Sequence, residues 1–240
     1  MTNDLPAIKQ RFNELGIQVK HPKEVATAID RHAAVWDFLK QDPGEPGYLA
    51  AVGRMDDALT AITISQQQEA LRSAHAVGQT EKLLNNAVRS NVDAYLQQTA
   101  STVNQLVDTL RGHAAQLPID DPAFGDLSIA VRGRYADRLG AAIDDATQLL
   151  TYSRLVRDLT RIRNAAAPLI DVDETVRFAD ESHIQDRVDR IAAMTEPDPY
   201  DLIKIANSES PYRLEPVFTV EGIHQRVNQW VDAIDEAGRP

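Results

Sequence analysis

"YLQQTASTVNQLVDTLRGHA", from Tyr95 to Ala114, is the stretch that decides the fold class. Its apolar and small side chains recur every three or four residues, which is the spacing of one face of an α-helix. The members of this face are Tyr95, Thr99, Val103, Leu106, Leu110 and Ala114. The stretch therefore predicts an amphipathic helix that packs against a second element.

The helical pattern extends backwards as far as Tyr48. No proline occurs between Tyr48 and Gln116, and the spacing continues through an earlier set of apolar residues: Leu49, Val52, Met55, Leu59 and Ile62. One helix over this segment would be about 100 Å long, at a rise of ~1.5 Å per residue. Gly78 costs roughly 1 kcal/mol against alanine inside a helix. A break near Gly78 is therefore an open alternative to one continuous helix.

A second long helix follows a turn. "LPIDDPAFGD", at 117–126, has turn composition, and helical spacing resumes from Leu127 to Asn164. A helix, a short turn and another helix predict an antiparallel hairpin over 48–164. The second arm spans roughly 60 Å. About 40 Å of the first arm would therefore need cover from elsewhere in the chain or from another chain.

The flanking segments predict shorter helices. Leu5–Leu15 ends at Gly16, Pro22 precedes another helical pattern, and "QDPGEPG" breaks the chain at 41–47. Beyond the hairpin, helices are expected over Glu174–Met194, from Pro199 with Asp198 as N-cap, and over Glu221–Ala237. The predicted fold is all-α and elongated. It comprises N-terminal helices at 1–41, a coiled-coil-like hairpin at 48–164 and a small, mostly helical C-terminal module at 165–240.

Composition removes several classes of protein. The chain has no cysteine, which excludes disulfides, thiolate metal sites and cysteine nucleophiles. No run of about 18 apolar residues predicts a membrane span, and the N-terminus lacks a signal-peptide pattern. We therefore expect a cytoplasmic protein. A formal net charge of −11 argues against broad nucleic-acid affinity for the whole chain.

The segment 48–116 is unusually poor in charge. It holds eleven charged residues, whereas it has twelve alanines and twelve asparagines or glutamines. A helix exposed to solvent on most sides usually carries many ion pairs. This composition favours a helix that is contacted on more than one face, within the chain or in an oligomer. An exposed helix of low charge is the alternative.

Motifs that would indicate an enzyme are scarce. The phosphate loops GxxxxGK[ST] and GxGxxG and the nucleophile motif GxSxG are all absent. Two acid-x-x-His pairs occur, Asp180 with His183 and Glu221 with His224, and such pairs serve di-iron helical bundles. The further carboxylates of such a site cannot be identified here. We therefore predict no catalytic residue, no metal site and no cofactor, with a helical-bundle metal enzyme as a distant alternative.

An arginine-rich stretch is the strongest candidate for a functional surface. In "RLVRDLTRIRN", from Arg154 to Asn164, the residues Arg154, Arg157 and Arg161 fall on one helical face. Residues 165–198 then carry nine acidic residues against three arginines. We expect the three arginines to face carboxylates from 171–189 or from a neighbouring chain, because the guanidinium fork suits carboxylates. Phosphate binding by an arginine-rich face at 132–163 is the alternative.

These observations favour a non-enzymatic helical interaction protein, acting as a scaffold or as an assembly subunit of a larger complex. Its partner would be another protein or a second copy of the chain. A nucleic-acid-associated protein using the arginine face is the second hypothesis, and salt dependence distinguishes the two because phosphate binding weakens steeply with salt.

Overall fold

The computed structural model describes residues 5–118, 129–172, 196–207 and 212–237. These residues form nine helices and one two-stranded sheet, which confirms the mostly helical fold class. The first six helices are α1 (Leu5–Glu14), α2 (Lys23–Lys40), α3 (Pro46–Ala51), α4 (Met55–Ser73), α5 (Ala76–Ser90) and α6 (Val92–Ala114). The remaining elements are α7 (Ile129–Thr160), β1 (Ile170–Val172), α8 (Pro199–Ala206), β2 (Tyr212–Leu214) and α9 (Val220–Ala237).

The described residues divide into two compact units. The small unit consists of Leu5 and His21–Asn91, among the described residues, and contains α2 to α5. The large unit consists of Pro6–Lys20 and the described residues from Val92 onward. The boundary at Asn91 falls inside the segment that was predicted to be one arm of a hairpin.

The segment 48–116 contains four helices, which corrects the expectation of a single long arm. The chain turns at Gly53 and at His75, which both have positive φ angles, of 77° and 51°. A third break occurs at Asn91, where α5 ends. The predicted weak point at Gly78 was thus close to the break at His75. The turn at His75 lets α5 pack along α2, with Leu84 and Val88 buried.

An antiparallel helix pair does exist, but it is limited to α6 and α7. The hydroxyl oxygens of Thr99 and Tyr152 lie 3.1 Å apart, and Nδ1 of His113 lies 2.7 Å from Oδ2 of Asp145. These partners follow opposite orders along the two helices, so the helices run antiparallel. Most of the turn predicted at 117–126 lies outside the described residues.

The core of the large unit forms where α1 and α8 join this pair. The rings of Phe12 and Tyr95 are stacked with their centroids 6.5 Å apart. The segment after α1 is fixed to α6, because the side-chain amide of Gln98 bonds both the N–H and the carbonyl of Lys20. The largest fully buried side chains are Phe12, Ile17, Tyr95, Leu96, Leu110, Leu149, Tyr152, Leu155, Leu169, Ile170 and Leu202.

The C-terminal part of the large unit confirms two predicted helix starts. Asp198 caps α8, where it forms a reciprocal capping box with Asp201, and α9 begins at Val220, next to the predicted Glu221. The predicted helix at Glu174–Met194 lies outside the described residues. The β1 and β2 strands pair antiparallel. Arg226 of α9 contacts them, with its Nε 3.5 Å from Asp171 Oδ1, and burial lowers the pKa of this guanidinium.

Candidate functional site

The three arginines predicted to share a helical face do not all lie on one helix. Arg154 and Arg157 belong to α7, but α7 ends at Thr160 and Arg161 has a φ of 62°. The prediction that the helix continues to Asn164 is therefore wrong. A left-handed residue ends a helix and redirects the chain, so Arg161 no longer continues the spacing of the other two.

The reason for the early end lies in the residues that follow. Ile162 and the whole run from Ala165 to Ile170 are buried, so the chain must fold back onto α7. The hydroxyl of Ser153 donates to the carbonyl of Ala165, and Oδ1 of Asn164 accepts the N–H groups of Ala166 and Ala167. These bonds satisfy the returning backbone. Burial of the apolar run therefore determines where α7 stops.

The charge partners of the arginines are only partly those predicted. Arg157 Nη1 lies 3.3 Å from Glu196 Oε1, which belongs to the acidic segment 165–198. Oδ2 of Asp158 lies 2.9 Å from Nη2 of Arg11 of α1, and its Oδ1 lies 3.9 Å from Nε of Arg157. Arg154 is exposed, and no carboxylate among the described residues forms an ion pair with it. Residues 173–189 lie outside the described residues, so their predicted contact with the arginines stays a prediction.

The acid-x-x-His pairs receive no geometric support as a metal site. Glu221 and His224 are both exposed on the first turn of α9, while Asp180 and His183 lie outside the described residues. Within the described ranges, no three or more histidine and carboxylate side chains cluster in a way that could hold a metal ion. None of the described helices carries an apolar stretch of the length that a bilayer requires.

A groove between α2 and α5 in the small unit has a volume of about 470 Å³. Lys23 and Arg31 on its wall are exposed, and Glu24 accepts a bond from the Asn91 amide. The hydroxyls of Thr27 and Thr80 donate to carbonyls of their own helices. The groove therefore lacks the converging polar groups that orient a small ligand.

The most conspicuous surface is an apolar row on α3, α4 and the turn between them. Its exposed fractions are 64% for Tyr48, 50% for Val52, 58% for Met55, 56% for Leu59 and 41% for Ile62. We call these five residues the apolar row. Four of them belong to the predicted helical stripe, in the part of the first arm that was expected to extend past the second arm and to need cover from elsewhere in the chain or from another chain.

The inward face of α4 explains why the apolar row points outwards. Ala58, Ala61 and Gln68 are the buried residues of this helix. Small alanines allow close approach of helices, and Nε2 of Gln68 donates to the carbonyls of Phe38 and Gln41 at 2.8 and 2.9 Å. Gln68 thereby gives a second donor to the carbonyl of Phe38, which also accepts the N–H of Gln41, and bonds the carbonyl of Gln41 itself at the C-terminal end of α2. The alanine and amide content of this segment was the sequence signal for this second face.

Several polar side chains around the apolar row have partners within their own helix or turn. The hydroxyl of Thr60 donates to Asp56 O at 2.9 Å, and that of Thr63 donates to Leu59 O at 3.0 Å. Nε of Arg54 lies 2.6 Å from Oδ2 of Asp57, so this charge is compensated within the turn. These two hydroxyls and this ion pair are thus satisfied without a second molecule.

Comparison with protein-family models, with curated proteins and with solved structures finds no match to this chain. The geometry of the chain is therefore the basis for a functional proposal.

Proposed function

We propose that this protein is a non-enzymatic interaction subunit that docks onto a protein through the apolar row of its small unit. The observation that carries this proposal is the exposure of five large apolar side chains within Tyr48–Ile62. Contiguous apolar patches on soluble proteins mark sites of interaction, whereas single exposed apolar residues are common and need no explanation.

The exposed fractions determine how much free energy a partner could gain by covering the apolar row. Full burial of a valine, leucine, isoleucine or methionine side chain contributes about 1.5–3 kcal/mol. Since about half of each side chain in the row is exposed, covering it would contribute roughly 1 kcal/mol per residue. Part of this gain offsets the loss of translational and rotational freedom on association. The row alone therefore suits a partner of modest affinity or a larger surface of which it forms the centre.

The second hypothesis, nucleic-acid binding by the arginines, receives less support. Arg157 already pairs with Glu196, and Arg161 lies beyond the end of α7. A phosphate-binding stripe would need several cations on one face.

The test compares two glutamate substitutions on the same helix. Leu59→Glu places a negative charge in the apolar row. Gln67→Glu places the same charge at an exposed position of α4, about 80° around the helix axis from Leu59. We expect the native complex that contains this chain in extracts of its own cells to have a lower mass in the Leu59→Glu variant. The Gln67→Glu variant should leave the mass of the complex unchanged. An unchanged complex with both variants would refute docking through the row.

A further inference from the structure

We draw no further inference here: the strongest candidate, the apolar row on α3, α4 and the turn between them, is the surface already proposed for docking, and nothing in the structure shows what covers it.

Discussion

The two units of this chain use similar helices but differ in what they bury. The small unit has five buried apolar side chains, Val25, Ala58, Ala61, Leu84 and Val88, of which two are alanines. The large unit buries two tyrosines, a phenylalanine and many leucines around α6 and α7. Of the eight large apolar side chains that are exposed among the described residues, seven belong to the small unit and Tyr200 is the exception.

The two units therefore differ in where their large apolar side chains lie. Aliphatic and aromatic side chains that are fully buried contribute most of the free energy of folding. The large unit buries its large aliphatic and aromatic residues in its own core, with Tyr200 as the exposed exception. The small unit keeps comparable residues on the surface and closes its interior with alanines and amide hydrogen bonds. Its large apolar residues thereby remain on the surface, where our proposal places the contact with a partner.

The strongest test of this contrast compares two leucine truncations. Leu149→Ala removes a fully buried side chain of α7 and should lower the free energy of unfolding of the large unit by about 2–5 kcal/mol. Leu59→Ala removes a surface side chain and should change the stability of the monomer by less than about 0.5 kcal/mol. Urea titration followed by hydrogen exchange of peptides from each unit measures both. Equal losses of unfolding free energy in the two variants would contradict this difference between the units.

The large unit should also be sensitive to alkaline pH. Burial raises the pKa of Tyr95 and of Tyr152 to about 12, although the hydrogen bond with Thr99 acts against this for Tyr152. The unfolded chain releases these protons near pH 10, so it binds fewer protons than the folded chain between about pH 10 and 12. The stability from this difference is complete below pH 10 and is lost as the pH rises, by the order of 2 kcal/mol per tyrosine.

Urea unfolding of the large unit at pH 9 and at pH 11 measures this loss. The Tyr152→Phe variant, which cannot ionise at this position, should lose about half of the pH dependence. A variant with the full wild-type dependence would show that Tyr152 does not contribute to it.

In the small unit the largest single effect is expected at Gln68. Gln68→Ala removes both part-buried bonds to the carbonyls of Phe38 and Gln41 and should cost about 1–3 kcal/mol, because each hydrogen bond contributes about 0.5–1.5 kcal/mol. The exposed neighbour provides the control, as Gln67→Ala should cost less than about 0.5 kcal/mol. Faster hydrogen exchange at the end of α2 in Gln68→Ala alone is the expected signature. A Gln68→Ala variant as stable as the control would show that the amide is dispensable.

Local signals in the sequence predicted much of the fold. The end of α1 at Gly16, the capping of α8 by Asp198 and the start of α9 follow from residues within one turn of each boundary. The periodicity of α4 was also predicted, but the element that covers its apolar face was left open. A helical stripe says which residues share a face and does not say which neighbour covers that face. Here the small face with Ala58 and Ala61 is turned inwards, and the large apolar face is left outside.

The arginine site was less predictable for a similar reason. Arg154 and Arg157 were placed correctly on one helix, but the end of the helix before Arg161 depends on burial of Ala165–Ile170 against distant parts of the large unit. No residue near Arg161 indicates that the helix ends before it. One of the two partners of Asp158, Arg11, likewise comes from α1, at a sequence separation that periodicity cannot detect.

The smallest effect is expected from these arginines. Replacing Arg154, Arg157 and Arg161 with glutamine removes the Arg157–Glu196 contact, and exposed ion pairs contribute only about 0–1 kcal/mol each. We expect α7 to stay helical and the assembly through the apolar row to persist. Circular dichroism and sedimentation measure the two properties. Loss of a salt-sensitive affinity for DNA or RNA in this variant, with assembly retained, would instead favour the nucleic-acid hypothesis.

The most direct test of the apolar row as a docking surface is the rate at which Met55 is oxidised by peroxide. Met55 has 58% of its surface exposed, and its thioether reports the solvent access of the row without any mutation. We predict that the rate falls several-fold when the chain is in its assembled form, compared with the same chain diluted to the monomer. An equal rate in both forms would show that the row stays in solvent and would contradict the account.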